Sequence, residues 1–131
     1  MNTVRHILEV KGRDVWTIPP EATVLDALRL MADKDIGALL VVDGERMVGI
    51  LSERDYARKV ILMGKASKDT PVSEIMTSKL YTVHPDQTVE ECMALMTNHR
   101  IRHLPVMDGL EIVGVISLGD VVNNIIYRQR Q

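Results

Sequence analysis

An α/β fold built from two copies of one small β-α-β-β-α unit is predicted by three features of the sequence. The chain resembles itself at a fixed offset of 65 residues. Each copy carries a helix-capping signal ahead of a segment with helical apolar spacing. Each then carries two short apolar runs joined through Asp-Gly.

The offset places residues 16–58 over residues 81–123 without a gap, and about 15 of the 43 pairs are identical, among them Thr17/Thr82, Pro20/Pro85, Gly49/Gly114, Ser52/Ser117 and Asp55/Asp120. Repeat 1 is expected over residues 4–64 and repeat 2 over 73–127. Residues 65–72, polar and carrying Pro71, are expected to be a solvated linker.

Local signals order the elements within a copy. Extended pieces at residues 15–19 and 80–84 run into Pro20 and Pro85, which cannot continue a ladder. Thr23 and Thr88 follow, with Asp26 and Glu91 three residues on, the reciprocal pattern of a capping box. Val24, Leu28 and Met31, and their counterparts Val89, Met93 and Met96, then give each helix one apolar stripe. Residues 38–42 and 104–107 are apolar runs ending at Asp-Gly, and second runs at 47–51 and 112–116 complete a hairpin. Residues 55–63 and 120–127 read as closing helices. Units this small expose apolar surface when single, so the copies are expected to pack through their sheets about a pseudo-twofold axis, with a cleft between them.

Composition narrows the function. With 16 Lys and Arg against 18 Asp and Glu, the chain lacks the positive excess that nonspecific nucleic-acid or anionic-membrane binding requires. No apolar run approaches a membrane span, and the N-terminus has no secretory pattern. The single Cys92 cannot form an internal disulfide, and a cytoplasmic location is expected. Phe is absent and aromatics total 3%, so the core is aliphatic and a base-stacking groove is not expected.

The doubled segment Gly49-Ile50-Leu51-Ser52-Glu53-Arg54-Asp55 and Gly114-Val115-Ile116-Ser117-Leu118-Gly119-Asp120 carries most of the functional signal. Ser followed by Asp at a strand-to-helix junction is itself a capping box. Glycine inside an apolar strand is unfavourable unless another group approaches the backbone, and a planar ligand lying on the strand is such a group. The helix N-terminus suits a phosphate, and the nearby carboxylate suits the paired hydroxyls of a ribose.

With Thr-Val at the first helix start, the run Ile101-Arg102-His103-Leu104-Pro105-Val106, Asp-Gly and then Gly-x-x-Ser-x-x-Asp, the sequence resembles the cystathionine-beta-synthase (CBS) domain from about residue 4 to residue 127. Two such domains form a Bateman module. The resemblance implies two sites in the cleft for AMP, ADP, ATP, NAD-type dinucleotides or S-adenosylmethionine. It places Ser52 and Asp55 at one ribose and Ser117 and Asp120 at the other, with Gly49 and Gly114 beneath the ligand. Thr17 and Ile18, and Thr82 and Val83, match positions that contact adenine, while Arg102 and His103 match positions that face phosphate. Repeat 1 has Gly37 and Ala38 there, so the sites are expected to differ, with room for a larger ligand at the first and with Arg54 and Arg58 as alternative phosphate ligands.

Other features point elsewhere. His6, His84, His99 and His103 lack the spacing of a zinc site, and Cys92 sits beside the apolar stripe as a core thiol. Trp16 and Tyr81 open the two copies and either flank an adenine or cap the core. No paired carboxylates, Ser/His/Asp set or Gly-rich lysine loop marks an enzyme. A ligand-sensing regulatory module without catalysis is therefore expected, acting on a protein partner or through self-association. A structural dimerisation module without ligand is the first alternative, and a nucleotide-processing enzyme the second. Apolar residues on several sides of the closing helices (Val60, Ile61, Leu62, Met63; Val121, Val122, Ile125, Ile126) predict a twofold homodimer.

Overall fold

The computed structural model describes residues 2–129, which fall into two compact units, Trp16–Leu80 and residues 2–15 with 81–129. The first unit contains β1 (Thr17–Ile18), α2 (Val24–Lys34), β2 (Ala38–Asp43), β3 (Arg46–Ser52), the single turn α3 (Glu53–Asp55) running into a π-helical stretch (Tyr56–Ile61), and a 3-10 turn (Val72–Glu74). The second contains α1 (Val4–Lys11), α4 (Val89–His99), β4 (His103–Asp108), β5 (Glu111–Ser117) and α5 (Leu118–Gln129).

Capping and hairpin signals translate directly into structure. Thr23 and Thr88 accept the backbone N–H of Asp26 and Glu91, each at 3.1 Å, and both carboxylates reach back to the cap. Along α2 and α4 the fully buried positions are Val24, Ala27, Met31 and Val89, Cys92, Met96. Leu28 and Met93, expected in the stripe, pack only partly buried beside them. Each hairpin turns on two residues, with Gly44 and Gly109 at φ +64° and +63°, a conformation glycine adopts without steric cost. The same bulge follows Val41 and Val106. The first unit forms a sheet in the order β1-β2-β3, with β1 parallel to β2. In the second unit residues 80–84 are not a strand. Val83 makes one parallel bridge to Val106, beside the two-stranded sheet β4-β5.

The segment ahead of each repeat packs into the unit built around the other repeat. Residues 4–11, assigned above to repeat 1, form helix α1 in the unit of repeat 2. Val4 N–H and Arg5 N–H donate to Gln87 and Pro85, and Asn2 O accepts from Val89 N–H, an otherwise unpaired donor at the start of α4. Val4, Ile7 and Leu8 are buried in one cluster with Val83, Val89, Cys92, Leu104, Ile116 and Val121.

Residues 65–69 are largely exposed, as expected of a linker, but the segment is anchored at its end. Ser67 O and Thr70 O accept from Leu25 and Val24 at the start of α2, Thr70 is buried, and Val72 and Ile75 complete the core around Leu39, Val41 and Leu51. The two segments are the same motif. Val4, Ile7 and Leu8 answer to Val72, Ile75 and Met76 at an offset of about 68, three residues longer than the main repeat. Each unit is thus completed by the segment that precedes the other repeat in sequence.

Candidate functional site

Each Gly-x-x-Ser-x-x-Asp segment ends a strand and starts a helix. Ser52 Oγ accepts the Asp55 N–H at 3.2 Å, and Asp55 Oδ2 accepts from Ser52 N–H at 3.0 Å. Ser117 and Asp120 repeat the exchange at 3.1 and 2.7 Å. The first N–H of each helix is also taken, Glu53 by Gly37 O at 3.0 Å and Leu118 by Arg102 O at 2.8 Å. Both junctions are therefore complete capping boxes, and two of the first three helical amides serve the protein rather than an incoming anion.

The carboxylates differ in what else reaches them. Asp55 Oδ2 also accepts the Ser52 hydroxyl at 3.0 Å, while Oδ1 accepts the Thr77 hydroxyl at 3.1 Å and pairs with Lys59 Nζ at 3.2 Å. Thr77 is carried there by antiparallel pairing with Ile50 on β3, through two backbone bonds of 3.0 and 2.9 Å. Asp120 Oδ2 pairs with Lys11 Nζ at 2.6 Å, and the same ammonium donates to Val115 O at 2.8 Å. Burial works against the charge of Asp120. The Lys11 ammonium and the Ser117 N–H outweigh it, with a weaker attraction from the Ser117 hydroxyl, and the carboxyl is held below its ordinary value of 3.8.

Both strand glycines are explained by protein, not by ligand. A Cβ on Gly49 would lie 2.5 Å from Met76 Sδ and 3.1 Å from Thr77 O. A Cβ on Gly114 would lie 2.6 Å from Leu8 Cδ2. The close approach that the sequence demanded is made by the segment completing each core. Gly49 and Gly114 are buried beneath it.

The remaining candidates scatter by exposure. Thr17 and Thr82 are exposed, whereas Ile18 and Val83 are core residues, 6% and 2% exposed. Val83 N–H and C=O are both bonded to β4, at Pro105 and Met107. Arg102 is exposed just before β4, and partly buried His103 opens that strand. Arg54 is partly buried, and Arg58 stands exposed on the π-helical stretch. Trp16 lies under Lys34 Nζ, 4.3 Å from the ring centroid, and Tyr81 stacks on His99 at 3.8 Å, so each aromatic has a partner in its own unit. The Cys92 thiol is fully buried and pushed up to about 11 by that burial, then by Glu91 and Glu90, which keeps it protonated and unreactive at neutral pH. Among the described residues no three His, Cys, Asp or Glu side chains cluster as metal ligands, and no helix is long and apolar enough to cross a membrane.

Sequence reasoning did not name Lys11, Lys59 or Thr77. Lys59 was within reach of it, four residues beyond Asp55 on a helical segment. Lys11 and Thr77 arrive on the segments that dock from outside the repeat, and only the offset-68 motif signals them.

Comparison with known proteins agrees with this architecture. The CBS-domain family model matches residues 4–62 and 72–127. The chain is 39% identical to the mitochondrial CBS domain-containing protein CBSX3 of Arabidopsis thaliana, over 98% of this chain and 67% of the relative. A solved structure from Burkholderia ambifaria, a CBS-domain protein assigned to signal transduction, superposes with a TM-score of 0.94 at 54% identity, covering 98% of this chain and 96% of the other. The CBS domain pair of protein MJ0100, solved with 5′-methylthioadenosine and S-adenosyl-L-methionine, shares the fold at a TM-score of 0.84 and 23% identity, over 100% and 99% of the two chains. Two family matches on one chain, a helix and a hairpin followed by a closing helix in each unit, and the same Gly-x-x-Ser-x-x-Asp pattern at both junctions together make this chain a member of the CBS-domain family carrying a tandem pair of repeats.

Proposed function

We propose that the pair is a regulatory module that binds adenosine-containing nucleotides, from among AMP, ADP, ATP, NAD and S-adenosylmethionine, at the Ser/Asp junctions. The observation that carries this reading is the pair of partly buried Asp55 and Asp120 carboxylates beside Ser52 and Ser117, the same Ser/Asp arrangement at both strand-to-helix turns. The adenosine ligands named for MJ0100 support the ligand class. Thr17 and Thr82 are the exposed candidates near adenine, and Arg102 with His103, or Arg54 with Arg58, are candidates for phosphate. No step of the reading calls for catalysis or a metal.

The output passes to a protein partner or runs through self-association. Exposed apolar side chains support the second route: Val122, Ile126 and Tyr127 on α5, and Ile61, Leu62 and Met63 at the end of the first unit. A homodimer through these helices satisfies them. The lone reduced thiol fits a reducing compartment, for which we take the cytoplasm.

Thermal unfolding with millimolar AMP, ATP, NAD or S-adenosylmethionine tests the ligand class. A ligand at a hundredfold excess over Kd adds about 2.7 kcal/mol to the folded state and raises Tm by several degrees. An unchanged Tm with all four removes the nucleotide reading and leaves a structural dimerisation module.

A further inference from the structure

We propose that the last turn of α1 is a switch held helical by Lys11, and that on release of the Lys11 ammonium Glu9 and Val10 unwind and pair with the open edge of β5. The two units show one segment in two conformations. At the offset of 68, Glu9 answers to Thr77 and Val10 to Ser78. Thr77 is extended. It exchanges two backbone bonds with Ile50 on β3, at 2.9 and 3.0 Å, and its hydroxyl donates to Asp55 Oδ1 at 3.1 Å. Glu9 instead lies in helix α1. The chain from Glu9 to Trp16 is three residues longer than the chain from Thr77 to Tyr81, which is close to the length of one helical turn, about 3.6 residues.

The helical state leaves a strand edge without a backbone partner. Pro105, opposite Val115, gives its carbonyl to Val83 N–H, so the Val115 backbone faces away from β4. β5 pairs with β4 alone, and among the described residues no backbone group bonds to Val115 from the other side. Lys11 stands in for the missing strand. Its Nζ donates to Val115 O at 2.8 Å, as Thr77 N–H does to Ile50 O, and to Asp120 Oδ2 at 2.6 Å, as the Thr77 hydroxyl does to Asp55. An ammonium carries no acceptor, so nothing on Lys11 answers to Thr77 O, and Val115 N–H remains a template for a strand.

The turn itself is weakly held. α1 has eight residues, too few for a helix to persist on propensity alone. Val10 is β-branched and 85% exposed, so it favours an extended backbone and gains little burial from the helix. Val4, Ile7 and Leu8, which anchor α1 in the core, all precede the turn, and unwinding from Glu9 onward leaves them in place. A ligand that takes Asp120 from Lys11 releases the turn, which gives occupancy of the junction an output at α1. That coupling rests on the nucleotide reading above, whereas the two conformations do not.

Backbone NMR with amide exchange distinguishes the two states. In the unmodified protein Glu9, Val10 and Lys11 are expected to show helical Cα shifts, with Val115 N–H exchanging freely. Lys11→Met is expected to move Glu9 and Val10 to extended shifts, to bring the Glu9 and Val115 amide protons into NOE contact, and to slow Val115 exchange by about tenfold or more. Deletion of residues 11–13 restores the spacing found before Tyr81 and is expected to give the same signature. If Glu9 and Val10 stay helical in Lys11→Met, or fray while Val115 exchanges freely, the proposal is overturned. A folded deletion variant whose Val115 N–H stays unprotected overturns it as well. Saturating AMP, with binding followed by calorimetry, is expected to produce the signature in the unmodified protein. AMP that binds and leaves the turn helical overturns the coupling. AMP that does not bind removes the nucleotide reading, and the two variants still decide the switch.

Discussion

Gly114 and Leu8 occupy one volume between them. A methyl on Gly114 meets Leu8 Cδ2 at 2.6 Å in a close-packed core, where Leu8 is 1% exposed. Gly114→Ala is therefore expected to cost about 1 to 3 kcal/mol as overpacking, and Leu8→Ala about 2 to 5 kcal/mol as a cavity. In the double variant the new methyl enters the space that Leu8 leaves, so the two costs are expected to sum to less than their separate values. Urea unfolding of the four proteins without ligand measures this. Strict additivity would remove the packing explanation for the glycine.

Lys11 and Asp120 make a residue-scale prediction about pH. The folded-state value of Asp120 is depressed, so its contribution is fully present above the ordinary carboxyl value of 3.8 and is lost as pH falls through the lower folded value. Lys11→Met leaves burial, the largest influence, unopposed by the ammonium and raises that value. At neutral pH the variant is expected to be less stable by about 1 kcal/mol or less, because the Lys11 side chain is 35% exposed and its pairing is screened. The gap narrows below pH 3.8 as Asp120 protonates in the unmodified protein. Unfolding midpoints from pH 7 to 3 follow it. A gap that keeps its size across that range would mean that Lys11 acts through its aliphatic stem and the helix end alone.

At the scale of elements, what the sequence made legible is what is local. Thr23, Thr88, Ser52 and Ser117 announce helix starts within four residues, and the Asp-Gly hairpins announce themselves in two. Thr88→Ala is accordingly expected to cost about 1 kcal/mol, since it removes the acceptor for Glu91 N–H. It also removes the Thr88 hydroxyl, which with the Thr88 N–H holds the Glu91 carboxyl below its usual value. A thermal melt of Thr88→Ala against Thr88→Ser, which keeps the cap, isolates the term, and equal losses for both would point to the methyl instead. The candidate site was legible to the same depth. Ser and Asp stand out by spacing, but Lys11 lies 109 positions from Asp120 and could not be found by local spacing. Nor could the reason for Gly49 and Gly114, because the group pressed against each glycine belongs to a segment outside the 65-residue offset.

For the whole molecule, the consequence is that chain order and unit membership are out of step. Helix α1 comes first in sequence, yet its Val4, Ile7 and Leu8 are 0%, 3% and 1% exposed within the core of residues 81–129. Burying each such side chain is worth about 1.5 to 3 kcal/mol, so the three together contribute roughly 5 to 9 kcal/mol. That is comparable to the whole stability of a small domain, about 5 to 15 kcal/mol. Removing residues 1–14 also strips Asn2 O from Val89 N–H at the start of α4, and Lys11 from Asp120. The truncated chain is therefore expected to lose order in the sequence-distant repeat 2 first. Amide hydrogen exchange followed by peptide mass spectrometry reads the outcome by position: protection falls across α4, β4, β5 and α5 before it falls in α2, β2 and β3. If the loss instead concentrates in Trp16–Leu80, the repeat that directly follows the deleted residues, then α1 supports its sequence neighbour and the assignment of this helix to the second unit is wrong.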